Sequence, residues 1–219
     1  MDWRASVDIY CERMDPSFWA EPINAISNAA FLIAALIAAN TARTHRVTNK
    51  AIWLLIILAA CIGVGSFLFH TVAEVWSGFA DTIPIWLFVL AYAVTSAILI
   101  GQVGWLTIAL GVVGLAGFVA LLTYLTAGLD LNGSEQYAPA VAAMLLFSAI
   151  SLAKRHAIAP WFVSATLIFG ISLAFRTFDM SVCANWPYGT HFMWHILNAT
   201  MIGLLLLALI RHTQRTPTP

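Results

Sequence analysis

Long apolar runs separated by short polar breaks set the pattern of this chain. At about 20 mostly apolar residues per membrane crossing, the runs are Ile23–Ala39, Ala51–Val72, Thr82–Ile100, Trp105–Leu125, Ala138–Ala153, Ile158–Phe175 and His191–Ile210. They predict an all-α fold, an integral membrane bundle of seven transmembrane helices. Gly101-Gln102-Val103-Gly104 separates the third and fourth spans, and Lys154-Arg155-His156 the fifth and sixth. Both pairs read as helical hairpins. Longer polar connections fall at Thr126–Tyr137 and Arg176–Thr190. The predicted organisation is a single transmembrane domain over 1–215, with a polar segment at 1–21 and a short Thr-Pro tail at 216–219.

Composition agrees with the pattern. Of the 219 residues, 61% are hydrophobic and 9% charged, against roughly 25% charged in a soluble domain. A water-soluble fold of this size could not hide so much apolar surface. Net charge is zero and no basic run is present, which sets nucleic-acid binding aside. The first residues are acidic (Asp2, Asp8, Glu12, Asp15, Glu21) and lack the positive flank of a secretory signal. The first span is therefore expected to act as its own membrane signal.

Lys and Arg concentrate on alternate breaks. Arg43, Arg46, Lys50, Lys154, Arg155, Arg211 and Arg215 share one side, while Arg4, Arg13 and Arg176 share the other. The excess predicts an outer N-terminus and a cytoplasmic C-terminus, with Trp3, Trp19, Trp76 and Trp186 as outer interfacial anchors. Cys11 and Cys183 then both lie outside, where a disulfide between them suits an oxidising compartment. Cys61, mid-span, is expected to serve packing.

Ionisable groups inside spans are costly and point to function. His45, His156 and His212 fall among inner cations and read as solvated. His70, His191 and His195 lie on two different spans, yet the alternating topology returns all three to the outer leaflet. His191 and His195, four apart, share one helical face. Three histidines with a fourth position left to water form the donor set of a catalytic zinc site, whereas a structural site closes with four protein ligands. Ser66 sits one turn before His70, and Asp81 opens the third span. Taken singly, Ser66 suits back-bonding to its own helix, Asp81 suits a helix-start acid, and Gly63 and Gly65 suit close helix packing.

Together, Ser66-x-x-x-His70, Asp81 and His191-x-x-x-His195 resemble the alkaline ceramidase family, part of a wider group of seven-helix membrane hydrolases that includes adiponectin-receptor-like proteins. Tyr10-Cys11-Glu12 and Ala20-Glu21-Pro22-Ile23-Asn24-Ala25-Ile26-Ser27-Asn28 are similar to that family's N-terminal signature. Spans four to six match only as apolar segments. The resemblance implies zinc on His70, His191 and His195, with Ser66 and Asp81 completing the site, and a Cys11–Cys183 cystine. It also implies a calcium site near the N-terminus. Glu12 and Glu21 match two of its ligands, Ile9 and Met14 replace two others, and Asp8 or Asp15 would have to supply further oxygens.

The implied chemistry is hydrolysis of a lipid amide, ceramide or another N-acyl lipid, within the bilayer. Zinc would bring a water's pKa toward about 7, Asp81 would move its proton, and Ser66 would donate to the developing oxyanion. A covalent serine is disfavoured because no histidine remains to activate it. A retinal-type protein needs a lysine inside a span, and Lys50 and Lys154 are both in breaks. An ion transporter needs further buried ligands toward the inner face, and the predicted spans supply none. A non-catalytic receptor or scaffold stays open if Asp81 closes the metal as a fourth ligand. Short loops point toward a bacterial inner membrane.

Overall fold

The computed structural model describes residues 2–125 and 131–215. The tail at 216–219 and the first part of the Thr126–Tyr137 connection lie outside the described residues. Helix α1 (Pro22–Ser27) runs through Asn28 into α2 (Ala29–Thr44), and the two make the first span. There follow α3 (Lys50–Val72), α4 (Val75–Leu99), α5 (Trp105–Leu125), a 3-10 turn (Ser134–Tyr137), α6 (Ala138–Ala153), α7 (Ala159–Val182) and α8 (His191–Arg215). Seven segments are long and apolar enough to cross a membrane.

The helix ends follow from local chemistry. Asn49 caps α3 by accepting from the Ala51 amide at 2.9 Å, and Glu74 with Ser77 forms a capping box for α4. The centre of the bundle is α8, which packs on α7, α2 and α3 and buries Leu205, Leu206, Leu209 and Ile210. Leu36, Ile57, Val113 and Leu167 face outward, as lipid contact requires.

Four details differ from the sequence reading. First, Asp81 does not open its helix: α4 begins at Val75, so Asp81 stands two turns inside it. Second, α7 continues past Phe175 to Val182 and carries Arg176 and Asp179 on buried helix. Third, α5 packs on α6, not along α4, so the expected hairpin of spans three and four is a turn without a paired interface. Fourth, Cys61 is exposed on the outer face of α3 and takes no part in the core.

The polar N-terminal segment folds back over the end of the bundle where α3 turns into α4. Val7 N–H donates to Ala73 O at 2.8 Å, Val75 N–H to Ala5 O at 3.1 Å and Trp76 N–H to Trp3 O at 3.1 Å. Within this flap, Tyr10, Cys11, Glu12 and Arg13 are buried.

Candidate metal centre

Two helix contacts assemble the site. Pro84 lies inside α4 and has no amide hydrogen to offer the Ala80 carbonyl. That carbonyl is pressed against Gly65 of α3 so closely that a Cβ at Gly65 would collide with it and lie 3.2 Å from the Asp81 amide. Gly65 thus permits the approach that brings Asp81 near Ser66, whose hydroxyl acts on the Asp81 carboxylate.

The second contact seats α8. The buried Asp179 carboxylate accepts from Thr190 N–H (2.7 Å) and His191 N–H (2.9 Å) through Oδ1, and from Cys11 N–H (3.0 Å) through Oδ2. It therefore caps α8 from the neighbouring helix and holds the N-terminal flap with the same side chain. Gly189 makes this possible: its φ is +61°, and a Cβ there would strike Asp179 Oδ1 and the Cys11 side chain. Cys183, one turn after Asp179, is disulfide-bonded to Cys11, with 5.4 Å between their Cα atoms.

His70, His191 and His195 converge, with one donor atom of each within 4.8 Å of the others. All three rings are buried. The partners of the outer ring nitrogens fix the tautomers. Glu21 Oε2 lies 2.6 Å from His70 Nδ1, and a carboxylate can only accept, so that nitrogen carries the proton. Ser27 Oγ donates to Asn24 O at 2.8 Å and lies 2.7 Å from His195 Nδ1. Its single hydrogen is thus committed, and His195 Nδ1 is also the protonated nitrogen. The Nε2 atoms of His70 and His195 point away from these outer partners and face each other at 3.1 Å.

With both rings neutral, two lone pairs meet at that distance, an arrangement that a cation between them relieves. Nitrogens on one tetrahedral zinc ion, each about 2.0–2.1 Å from it, stand about 3.3 Å apart. His191 Nδ1 is buried with no hydrogen-bond partner. The residues therefore fit a divalent ion, with Glu21 and Ser27 as the outer partners that orient ligating imidazoles. Among the described residues no carboxylate or thiol joins the histidine group, so Asp81 does not close it.

Calcium does not fit. Both Glu12 oxygens accept backbone hydrogens, from Ile23 N–H and Asn24 N–H at 2.8 Å each, so Glu12 serves as the cap of α1. Glu21 Oε1 is taken by Arg13 Nε at 2.6 Å, and Oε2 by His70 and by Asn24 Nδ2 at 3.2 Å. A guanidinium fills the place a cation would need. Arg13 also donates to His70 O at 3.1 Å, tying the flap to a histidine-bearing helix. Asp8 is exposed, and Asp15, also exposed, turns its Oδ1 to the Ser17 amide at 2.7 Å. Nor are Glu12 and Glu21 a solvated acidic face, since both are buried. Burial alone would raise the Glu21 carboxyl, but the His70 ring and the Arg13 guanidinium hold it below its usual value.

Several residues of the site escaped the sequence reading. Tyr10 stacks on His191, ring centroids 3.7 Å apart, and its hydroxyl accepts from Arg176 Nη1 at 2.7 Å. Arg176 and Asp179 were assigned to a connection. Their signal was the helical period, which continues past Phe175 through Phe178 and Val182.

Two cavities lie within the bundle, the larger of them reaching Asp81 and Tyr10. One, of about 280 Å³, is lined by Asp81, Thr82, Tyr10, Gln136, Tyr137 and Arg176. The other, of about 60 Å³, is apolar and lies among Ile62, Phe88, Met144, Phe169, Tyr137 and Met201. Tyr137 borders both.

No curated protein matches the chain. The model of the family described as Ceramidase matches residues 6–219. With most of the flap, the histidine-bearing helices and the intervening spans inside that match, the chain belongs to the Ceramidase family.

Proposed function

We propose that this protein is a zinc-dependent hydrolase that cleaves the amide of ceramide or a related N-acyl lipid within the membrane, releasing a fatty acid and an amine lipid. The observation that carries the proposal is the convergence of three buried histidines, with His70 Nε2 and His195 Nε2 3.1 Å apart, joined by no carboxylate among the described residues. That leaves a position for solvent, which catalysis needs. The same observation weighs against a closed, non-catalytic receptor or scaffold site.

A divalent ion bound by His70, His191 and His195 supplies Lewis acidity, enough to bring a water's pKa toward about 7. The remaining work belongs to the chain's own side chains. Glu21 and Ser27 hold the His70 and His195 tautomers. Asp81 takes the proton of the attacking water and returns it to the departing nitrogen, so that the C–N bond breaks to a neutral amine and a fatty acid. Ser66 has one O–H: directed at Asp81 it orients the base, and turned toward the carbonyl it stabilises the oxyanion.

The apolar cavity suits part of an acyl chain, and the larger cavity, where Asp81, Gln136 and Arg176 stand among Val7, Ile9, Phe69 and Phe79, suits the region around the amide. In an N-outside orientation the reaction stands near the outer surface of the membrane, taken here as a bacterial inner membrane. The test is fatty-acid release from a panel of ceramides and other N-acyl lipids by the purified protein, with and without chelator. Release that stops with chelator and with Asp81→Ala supports the reading. Absence of chelator-sensitive release from every lipid excludes it.

A further inference from the structure

Asn198 is an amide in the wall of a mainly apolar cavity. It is 4% exposed, and its side chain has no hydrogen-bond partner among the described residues. Asn24 Oδ1 and Asn28 Oδ1 are also unpartnered but are sealed among protein atoms, whereas Asn198 borders the open space of the cavity of about 60 Å³. Of the side chains lining that cavity only Asn198, Tyr92 and Tyr137 carry a nitrogen or oxygen. The Tyr92 hydroxyl is already engaged, donating to Leu205 O at 3.0 Å, and Tyr137 is shared with the larger cavity. An amide carries donors and an acceptor together, and leaving them unbonded in apolar surroundings is costly. The cavity therefore calls for a ligand with one polar group on an otherwise apolar length.

The position of Asn198 says where on the ligand that group lies. Asp81, Ile85, Phe88 and Tyr92 recur at helical spacing on one face of α4, and His195, Asn198, Ile202 and Leu205 on one face of α8. In each set the residues that follow the first line the apolar cavity. The cavity thus continues from the level of Asp81 and His195 along the helices, away from the flap. Asn198 is three residues beyond His195, about 4.5 Å along the helix axis. With the scissile carbonyl at the histidines, an acyl chain entering the cavity passes Asn198 within a few bonds of that carbonyl.

We propose that the protein selects ceramides and related N-acyl lipids whose acyl chain bears a hydroxyl on its second or third carbon, with Asn198 as the residue that recognises it. This rests on the reading of the site as an amidase with the acyl chain in the apolar cavity. A hydroxyl at that depth donates to Asn198 Oδ1 or accepts from Nδ2. A plain chain leaves the amide unanswered, and a site built to bond a hydroxyl discriminates against the analogue that lacks it.

The test is a competition. Ceramides matched in acyl length, with no acyl hydroxyl, a 2-hydroxyl or a 3-hydroxyl, are offered in equal amounts to the full-length metal-loaded protein, and the ratio of acids released gives the ratio of kcat/KM. At least one hydroxylated chain is expected to be preferred about ten- to a hundredfold, and its identity fixes the carbon recognised. In Asn198→Leu, a change that nearly keeps the volume, the ratio is expected to fall to about one. Equal release of all three acids by the wild type overturns the proposal, and this comparison needs no variant to fold. A preference that survives in Asn198→Leu overturns the assignment to Asn198. A further substrate lacks the hydroxyl of the long-chain base instead. If the wild type discriminates only against that one, and Asn198→Leu does not, Asn198 reads the base and the proposal falls. Binding is measured separately with ketone isosteres of the plain and hydroxylated ceramides, with CH₂ in place of the amide N–H. Hydroxyl-selective binding that Asn198→Leu abolishes, without cleavage of any amide, would refute the hydrolase and leave the role of Asn198 standing. Cleavage without selectivity would do the reverse.

Discussion

Glu21 Oε2 lies 2.6 Å from His70 Nδ1, although the two residues are 49 positions apart in the chain. The contact joins the end of the N-terminal flap to α3 and makes the flap part of the metal centre. Glu21→Gln keeps the shape and removes the charge. Zinc affinity, measured by competition with a chelator of known strength, is expected to fall about ten- to a hundredfold. Unchanged affinity would mean that His70 is oriented without Glu21.

Arg13 supplies the positive charge that holds Glu21 from the other side. Added calcium is accordingly expected to leave the unfolding temperature of the wild type unchanged, because no oxygen pair of Glu12 and Glu21 is free to receive it. Arg13→Ala leaves a buried carboxylate uncompensated and is expected to destabilise by about 3–5 kcal/mol. A rise in wild-type unfolding temperature with calcium would contradict the assignment of that place to the guanidinium.

Gly65 and Gly170 make a matched pair of substitutions. A Cβ at Gly65 strikes the Ala80 carbonyl, whereas at Gly170 it meets nothing within 4 Å. Gly65→Ala is expected to push α4 away, separate Asp81 from Ser66 and lower fatty-acid release by at least about a hundredfold, a typical acid–base contribution. Gly170→Ala is expected to behave as wild type. Equal activity in the two variants would show that the α3–α4 approach does not position the base.

Glu12 allows a pH prediction with a definite sign. Burial raises its carboxyl above the usual glutamate value, and the Asn24 and Ile23 amides only partly oppose this. A raised folded-state pKa means that the contribution is present below the unfolded-state value and is lost as pH rises through the folded-state value. The stability of wild type relative to Glu12→Gln should therefore decline as pH rises from below 4.5, the ordinary value. An increase over that interval would show that the helix-cap hydrogen bonds outweigh burial.

The Cys11–Cys183 bond closes a loop of 172 positions and ties the flap to the turn before α8. Cys11→Ser, Cys183→Ser and the double substitution should each cost about 2–4 kcal/mol, with no further loss in the double variant. Unequal or additive losses, read from unfolding midpoints, would mean that the two thiols act separately.

The spans were legible because hydropathy is a local property, and the histidine trio because four intervening crossings return the end of α3 and the start of α8 to one leaflet. Helix ends were less legible. Asp179 and Arg176 look like a polar connection until Cys11, Thr190 and His191 are in place to receive the carboxylate. Asp81 looked like a helix-start acid because Val75–Ala80, with Trp76, Ser77 and Gly78, is only weakly apolar. The engagement of the acidic N-terminal residues was hidden for a related reason. Glu12 and Glu21 are the right residue types, but their partners, the α1 amides and Arg13, are set by a fold-back of the flap that leaves no periodic trace.

The most direct measurement pairs elemental analysis with fatty-acid release on one preparation. One zinc ion per chain in the active wild type, with ion and release lost together in His70→Ala, His191→Ala and His195→Ala, is the predicted result. Full activity in metal-free protein, or zinc retained undiminished after His191→Ala, would contradict it.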